Sequence, residues 1–157
     1  MQDLSGKTAI ITGASRGIGA AAARVFAAQG ANVMLVARSG DAITALADEI
    51  GPNAMALECD VSQYDAFEAV VTACTARFGG LDVLINNAGM MVEEDFEKLS
   101  TDQIERTITL NITALTQLIH QFLPAMKARK SGRILNVASV AAFHPVPGMD
   151  IYAATKA

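Results

Sequence analysis

The feature that most constrains the fold of this chain is a regular alternation of short apolar runs with helical patterns. Strands that alternate with helices favour parallel pairing through right-handed crossovers. A parallel sheet buried on both faces also accounts for a hydrophobic content of 52% without a membrane-spanning run. The sequence therefore predicts an α/β fold with one parallel sheet. The predicted strands are 8–12, 32–37, 54–60, 81–89 (with its turn) and 132–139, and the helices between them are 17–29, 41–50, 62–78 and 100–130.

Local signals predict where several helices begin and end. Gly30 follows the first helix and suits a left-handed stop. Ser62 is the expected N-cap of the third helix, with Asp65 at the third position of a near capping box. Pro124 predicts a bend or a restart within the long helix. Residues 143–149 hold two prolines and a glycine and are expected to form a loop, with a helix of about two turns after it.

A glycine-rich turn, "TGASRGIG" (12–19), lies directly between the first strand and the first helix. Glycines allow the backbone to pass close to a pyrophosphate, and the amides at the helix N-terminus face its charge. Three glycines in seven residues also occur in ordinary tight turns, but the position after strand one favours nucleotide binding. The candidate cofactor-binding residues here are Gly13, Ser15, Arg16, Gly17, Ile18 and Gly19.

The end of the second strand indicates which dinucleotide is preferred. Sites that prefer NAD place an acid about 20 residues after the glycine turn, where it binds the ribose hydroxyls. Here Ala37 and then Arg38 occupy that place, so nothing repels a 2′-phosphate and a guanidinium can bind it. Arg16 supplies a possible second cation, and the less favoured alternative is that both arginines are solvated surface residues. We therefore expect NADP(H) rather than NAD(H).

Several motifs at collinear spacing resemble the classical short-chain dehydrogenase/reductase family. "TGASRGIG" matches the glycine motif of the family, "CDV" (59–61) its adenine-pocket acid and "NNAG" (86–89) its signature after the fourth strand. Asn111, Ser139 and the Tyr152/Lys156 pair match its catalytic tetrad. The resemblance covers the whole chain and implies a Rossmann-like doubly wound sheet with strand order 3-2-1-4-5.

The resemblance also implies roles for these residues in hydride transfer between NADP(H) and a small-molecule carbonyl or alcohol. Tyr152 would be the acid/base and Lys156 would stabilise its phenolate and contact the nicotinamide ribose. Ser139 would donate to the substrate oxygen, and Asn111, disfavoured by propensity in mid-helix, would hold a relay water. The remaining cofactor-binding candidates are Asp60, Val61, Asn87, Ala88 and Gly89, together with Tyr152 and Lys156.

Some of these residues have structural alternatives. Asp60 could accept from the adenine amino group or only form a turn, and the asparagines of "NNAG" could brace their own turn. His144 could touch substrate, but a single loop histidine is more often solvated. The apolar residues expected near the substrate, which could instead pack in the core, are Met90, Met91, Phe143 and Met149.

The length of the chain, 157 residues, suits a single NAD(P)-binding domain spanning 1–157. Family members run to roughly 250 residues, so the resemblance implies that the C-terminal strands of the family are missing here. We therefore expect an exposed strand five and little or no activity. The alternative is a non-catalytic nucleotide-binding protein or a truncated gene product. The homodimers and homotetramers usual in the family are in doubt for this chain.

Composition limits the remaining classes of function. The net charge of −4 with scattered cations argues against a nucleic-acid surface. The start "MQDLSGKTAI" lacks an apolar signal core, so we expect a cytoplasmic protein without a membrane anchor. Cys59 and Cys74 lack metal-ligand spacing and are expected to be reduced thiols. The sequence predicts no metal site.

Overall fold

The computed structural model describes residues 3–144 and 146–157. Part of the predicted loop 143–149, Pro145, thus lies outside the described residues. The five strands of the sheet are β1 (Thr8–Thr12), β2 (Asn32–Ala37), β3 (Ala54–Glu58), β4 (Val83–Asn86) and β5 (Arg133–Asn136). The α-helices are α1 (Gly17–Ala28), α2 (Gly40–Ile50), α3 (Ala66–Phe78), α4 (Thr101–Ile108), α5 (Leu115–Ala128) and α6 (Asp150–Lys156).

All the strands pair in parallel in the order β3-β2-β1-β4-β5. This is the order that the resemblance implies. In the register, Ile10 of β1 faces Met34 of β2 on one side and Leu84 of β4 on the other. The order reverses between β1 and β4, which creates the crevice where such sheets bind ligands.

The two faces of the sheet bury separate apolar clusters because successive strand residues point to opposite sides. Ile10 packs into the cluster that faces α3 and α5, and Ile11 into the cluster that faces α1 and α2. Every residue of β1 is buried. The helices therefore cover both faces, as a doubly wound sheet requires. No helix within the described residues is long and apolar enough to cross a membrane.

The predicted start of the third helix is wrong. Ser62 does not cap it, because α3 begins only at Ala66. The backbone N–H of Ser62 and its hydroxyl both donate to Asp60 Oδ1, at 3.0 and 2.8 Å. This local Asx bonding competes with helix formation, and residues 61–65 form turns instead.

The predicted long helix is continuous, but its irregularity lies elsewhere than expected. Ser100 caps α4 in a capping box with Gln103. The helix continues through Pro124 in α5, so no restart occurs there. A π-helical segment, Thr109–Ala114, joins α4 to α5, and such segments are frequent at functional sites. Asn111 lies within it.

Candidate active site

The glycine turn between β1 and α1 depends on two kinds of glycine. Gly13 and Gly17 have φ angles of 65° and 56°, a region that side chains rarely adopt. Gly19 is required for space instead, because an added Cβ would overlap the carbonyl of Gly13 and lie 2.7 Å from Asn87 Nδ2. Nothing lies within 4 Å of a Cβ at Gly17. The turn is therefore accessible to a ligand at Gly17 and tightly packed at Gly19.

The turn is braced by the segment that follows β4. Asn87 Nδ2 donates to the carbonyls of Thr12 and Gly13, at 3.0 and 3.1 Å. The backbone N–H groups of Asn87 and Ala88 donate to Thr12 Oγ1. Asn87 therefore braces the glycine turn after β1 and not only its own turn after β4, which is a structural role that the sequence did not predict. Thr12 was not among the predicted site residues, although a hydroxyl at the last position of β1 could have indicated a hydrogen bond to a neighbouring segment.

A cavity of about 670 Å³ opens at the carboxyl ends of β1, β2 and β4. Its volume is within the range of cofactor sites. Most of the predicted cofactor-binding residues line it, whereas Gly19 lies behind its wall, and Tyr152 and Lys156 are outside it. The predicted residues that line the cavity are Gly13, Ser15, Arg16, Gly17, Ile18, Arg38, Asp60, Val61, Asn87, Ala88 and Gly89.

Two cations line the cavity, Arg16 and Arg38, the second of which follows Ala37 at the end of β2. Both arginines are exposed. Neither arginine forms an ion pair within the described residues. Asp60 lines the same cavity while its Oδ1 accepts from Ser62. It therefore forms a turn and also faces the cavity, so the two sequence alternatives are compatible.

The fully buried amide of Asn111 joins three segments around the π-helical turn. Its Oδ1 accepts from the backbone N–H of Met90 at 2.8 Å. Its Nδ2 donates to the carbonyl of Met90 and to Thr155 Oγ1, both at 2.9 Å. Through Met90 it holds the segment after β4, and through Thr155 it holds α6. Thr155 was not among the site residues predicted from the sequence.

Tyr152 and Lys156 lie on α6, four residues apart and thus on one helix face. Lys156 Nζ donates to the carbonyl of Val137 at 3.0 Å. It also lies 5.9 Å from the centroid of the Tyr152 ring. A Cβ added at Gly89 would lie 3.3 Å from Lys156 Nζ, so the ammonium is next to a residue that lines the cavity. Lys156 therefore lies beside the lining of the cavity, with the ring of Tyr152 near its ammonium.

Ser139 follows β5 and caps a single 3-10 turn, Val140–Ala142. Its Oγ accepts from the backbone N–H of Ala141 at 3.2 Å. The hydroxyl proton has no acceptor among the described residues, so the group can donate to a ligand. The local geometry therefore gives Ser139 a role in its own turn and is also compatible with the donor role that the resemblance implies.

The residues expected near the substrate differ in exposure. Phe143 is 79% exposed and Met91 is 49% exposed, so neither packs in the core. Met90 and Met149 are half-buried, and His144 is exposed on its loop.

The two cysteines are free thiols. Burial raises the pKa of Cys59, which lines the cavity, and the nearby carboxylates of Asp60 and Asp65 raise it further. Burial also raises the pKa of Cys74 to about 11, with a smaller contribution from Asp82. Both thiols therefore favour the neutral, unreactive form.

Known proteins share this arrangement of elements. A fatty acyl-CoA reductase of Mycobacterium tuberculosis is 42% identical over 161 residues, which cover 99% of this chain and 55% of the relative. The solved structure of a metagenomic short-chain oxidoreductase in complex with NADP has a TM-score of 0.94 and 40% identity, covering 99% of this chain and 72% of its own. A 3-ketoacyl-(acyl-carrier-protein) reductase from Brucella melitensis, complexed with NADH, has a TM-score of 0.93 and 35% identity, with coverages of 98% and 65%.

The chain thus spans about half the length of the first relative and roughly two thirds of the Brucella structure. Residues 7–157 match the sequence profile of the family described as short chain dehydrogenase. The match includes the glycine turn, the segment after β4 and the helix with Tyr152 and Lys156. Together with the parallel sheet, this shows that the chain belongs to the short-chain dehydrogenase family.

Proposed function

We propose that this site transfers a hydride between NADP(H) and a small-molecule carbonyl or alcohol. The observation that carries the proposal is the position of Lys156. Its ammonium lies beside Gly89, at the mouth of the cavity, and near the ring of Tyr152. A titratable pair beside a cavity that is lined by a glycine turn and is large enough for a nucleotide is the arrangement expected of an oxidoreductase.

The residues around the cavity mouth divide the work. NADP(H), when bound, supplies or accepts the hydride. In the reductive direction the carbonyl oxygen of the substrate becomes an alkoxide and accepts the phenolic proton of Tyr152. Lys156 would stabilise the resulting phenolate by charge and would be one of the residues that hold the nicotinamide ribose. Ser139 donates its free hydroxyl proton to the same substrate oxygen. Asn111 holds the segments on which these groups lie.

The residues that line the cavity suit NADP(H). The open backbone at Gly17 and the N-terminus of α1 suit a pyrophosphate. Arg16 and Arg38, both exposed and without ion pairs among the described residues, suit a 2′-phosphate. The solved relatives carry NADP in one case and NADH in the other, so the preference for NADP(H) rests on the two arginines.

The 157-residue chain is expected to bind NADP(H) with little turnover, because α6 has no side-chain N-cap bond and few side-chain hydrogen bonds tie it to the rest of the described chain. The test for low turnover uses NADPH deuterated at the transferred position and a panel of ketones over several hours. We expect deuterium in the alcohol product, detected by mass spectrometry, and at least about a hundredfold less with Tyr152→Phe. Robust turnover would contradict the expected low activity. Tight binding without deuterium transfer would favour a non-catalytic nucleotide-binding protein. Absence of both would overturn the proposal.

The cofactor preference has a separate test. Arg38→Asp should weaken NADPH binding about tenfold or more, measured by NADPH fluorescence, and leave NADH binding unchanged or improved. Arg133→Asp, at the amino end of β5 and thus at the opposite edge of the sheet, is the matched control and should change neither affinity. An unchanged ratio of the two affinities in Arg38→Asp would show that the phosphate assignment is wrong.

A further inference from the structure

The hydroxyl of Thr155 connects the helix that carries Tyr152 and Lys156 to the buried amide of Asn111. Thr155 Oγ1 donates to the carbonyl of Tyr152 at 2.8 Å and accepts from Asn111 Nδ2 at 2.9 Å. We propose that Thr155 is a positioning residue, whose hydroxyl sets the rotation of α6 and thereby the places of Tyr152 and Lys156. As a statement about catalysis, this inference rests on the proposed function.

The first argument is the saturation of the Asn111 amide. A side-chain amide has two N–H donors, and here one donates to the carbonyl of Met90 and the other to Thr155. Asn111 is 0% exposed, so water cannot replace a lost partner. A buried donor without an acceptor is costly. Removing the Thr155 hydroxyl therefore strains the Asn111 amide as well as α6.

The second argument is how few polar contacts hold α6. No side-chain hydrogen bond caps its N-terminus, so this end of the helix is not fixed locally. It is held by packing against α4, the π-helical segment and the 3-10 turn. The side-chain hydrogen bonds that tie α6 to the rest of the described chain are those of Thr155 and Lys156. Of the two, only Thr155 binds a fully buried group.

The third argument is the common neighbour of the two ties. A Cβ added at Gly89 would lie 3.2 Å from Asn111 Oδ1 and 3.3 Å from Lys156 Nζ. Asn111 and Lys156 therefore contact the same small area at the cavity mouth. Because Thr155 precedes Lys156 in the chain, a rotation of α6 that breaks the Thr155–Asn111 bond also moves the ammonium away from Gly89. The hydroxyl thus acts on the site through other residues.

The test separates the hydroxyl from the shape of the side chain. Thr155→Val keeps the shape and removes both hydrogen bonds, whereas Thr155→Ser keeps the hydroxyl. Thr155→Ala also lacks the hydroxyl but adds no apolar branch, and it covers the case in which the valine variant fails to fold. Thr116→Val is the matched control, because the Thr116 hydroxyl is also in a helix and donates to the carbonyl of Ile112, but it is exposed.

The first readout requires neither cofactor nor turnover. In NMR spectra of the chain with labelled asparagine side chains, the amide protons of Asn111 should exchange about tenfold faster or more in Thr155→Val and Thr155→Ala. In Thr155→Ser and Thr116→Val they should exchange within about twofold of the wild-type rate. Exchange at the wild-type rate in both variants without the hydroxyl would overturn the inference.

The second readout concerns the site. Thr155→Val should lower deuterium transfer from NADPH about tenfold with the KM of the ketone nearly unchanged, and Thr155→Ser should restore it. A higher KM of the ketone without a fall in deuterium transfer at saturating ketone would overturn the positioning role. Failure of Thr155→Ser to restore the transfer would also overturn it. If the wild-type chain neither binds NADPH nor transfers deuterium, the proposed function fails. The exchange of the Asn111 amide then still decides whether Thr155 holds α6.

Discussion

The candidate site lies between strands that differ in burial: β1 and β2 lie inside the sheet, whereas β5 lies at its edge. All five residues of β1 are buried, and five of the six in β2. Three of the four residues of β5 are exposed. The turn after β1 is therefore fixed by close packing of backbone, with Gly13 and Gly19 against Asn87 and Ala88.

The segments after β5 lie beside an exposed strand and combine helix packing with a few polar contacts. Lys156 bonds to the carbonyl of Val137, and Thr155 bonds to Asn111. Hydrogen bonds at half-buried positions contribute less than close packing in a core. The comparison teaches that at the cofactor end close backbone packing adds to the hydrogen bonds of Asn87 and Thr12, whereas the catalytic end depends more on two side-chain hydrogen bonds of α6.

The largest expected effect separates a central strand from the edge strand. Leu35 in β2 is fully buried, whereas Leu135 in β5 is 52% exposed. Leu35→Ala should lower the free energy of unfolding by about 2–5 kcal/mol, because it removes buried methyl groups and leaves a cavity. Leu135→Ala should lower it by less than about 1 kcal/mol. Urea denaturation followed by circular dichroism measures both, and equal losses would contradict the comparison.

An intermediate effect is expected in the glycine turn. Gly19→Ala should lower the free energy of unfolding by about 1–3 kcal/mol, because its Cβ meets the Gly13 carbonyl and Asn87. NADPH affinity should fall with it by about tenfold or more, measured by fluorescence titration. Gly40→Ala is the matched control: its Cβ meets only the end of the exposed Glu58 side chain, which can move. If the two variants behave alike, backbone packing does not fix the turn.

The smallest expected effect is a pH dependence from Cys74 in the buried cluster. Its pKa is raised to about 11 from 9.0, so above pH 9 the unfolded chain loses a proton that the folded chain keeps. The stabilisation is complete below about pH 9 and is lost as the pH rises towards 11. Between pH 8 and pH 10 the loss should be about 1 kcal/mol.

Urea unfolding at the two pH values under reducing conditions measures this loss. Other groups also titrate in this range, so the informative quantity is the difference between wild type and Cys74→Val. The variant should lose about 1 kcal/mol less than the wild type. An identical pH dependence in both chains would show that Cys74 is not held as the neutral thiol.

Much of the fold could be predicted because it depends on local patterns. The apolar runs located all five strands, and the glycines at 13, 17 and 30 have the left-handed backbone that their turns require. The predicted start of α3 was wrong because the Ser62 hydroxyl donates to Asp60 instead of capping the helix. The spacing of the residues does not decide between these two local motifs. The π-helical segment was not predicted, since its residues follow the apolar pattern of an ordinary helix.

The candidate site was predictable in its members but not in its connections. The motifs named Asn111, Ser139, Tyr152 and Lys156, whose roles stay predictions. Thr12 and Thr155 were missed because a threonine at the end of a strand or within a helix is ordinary by composition. Their importance follows from which groups they meet, 75 residues away for Thr12 and Asn87, and 44 for Thr155 and Asn111.

The sequence alone determined the parallel α/β sheet, the glycine turn after β1 and the tyrosine–lysine pair on one helix face. These features depend on residues close together in the chain, where periodicity and backbone preference act. Only the tertiary structure decided that Asn87 closes the back of the turn, that Lys156 lies beside Gly89 and that Thr155 meets Asn111. Contacts between distant segments depend on how the helices pack on the sheet, and no local pattern encodes that packing.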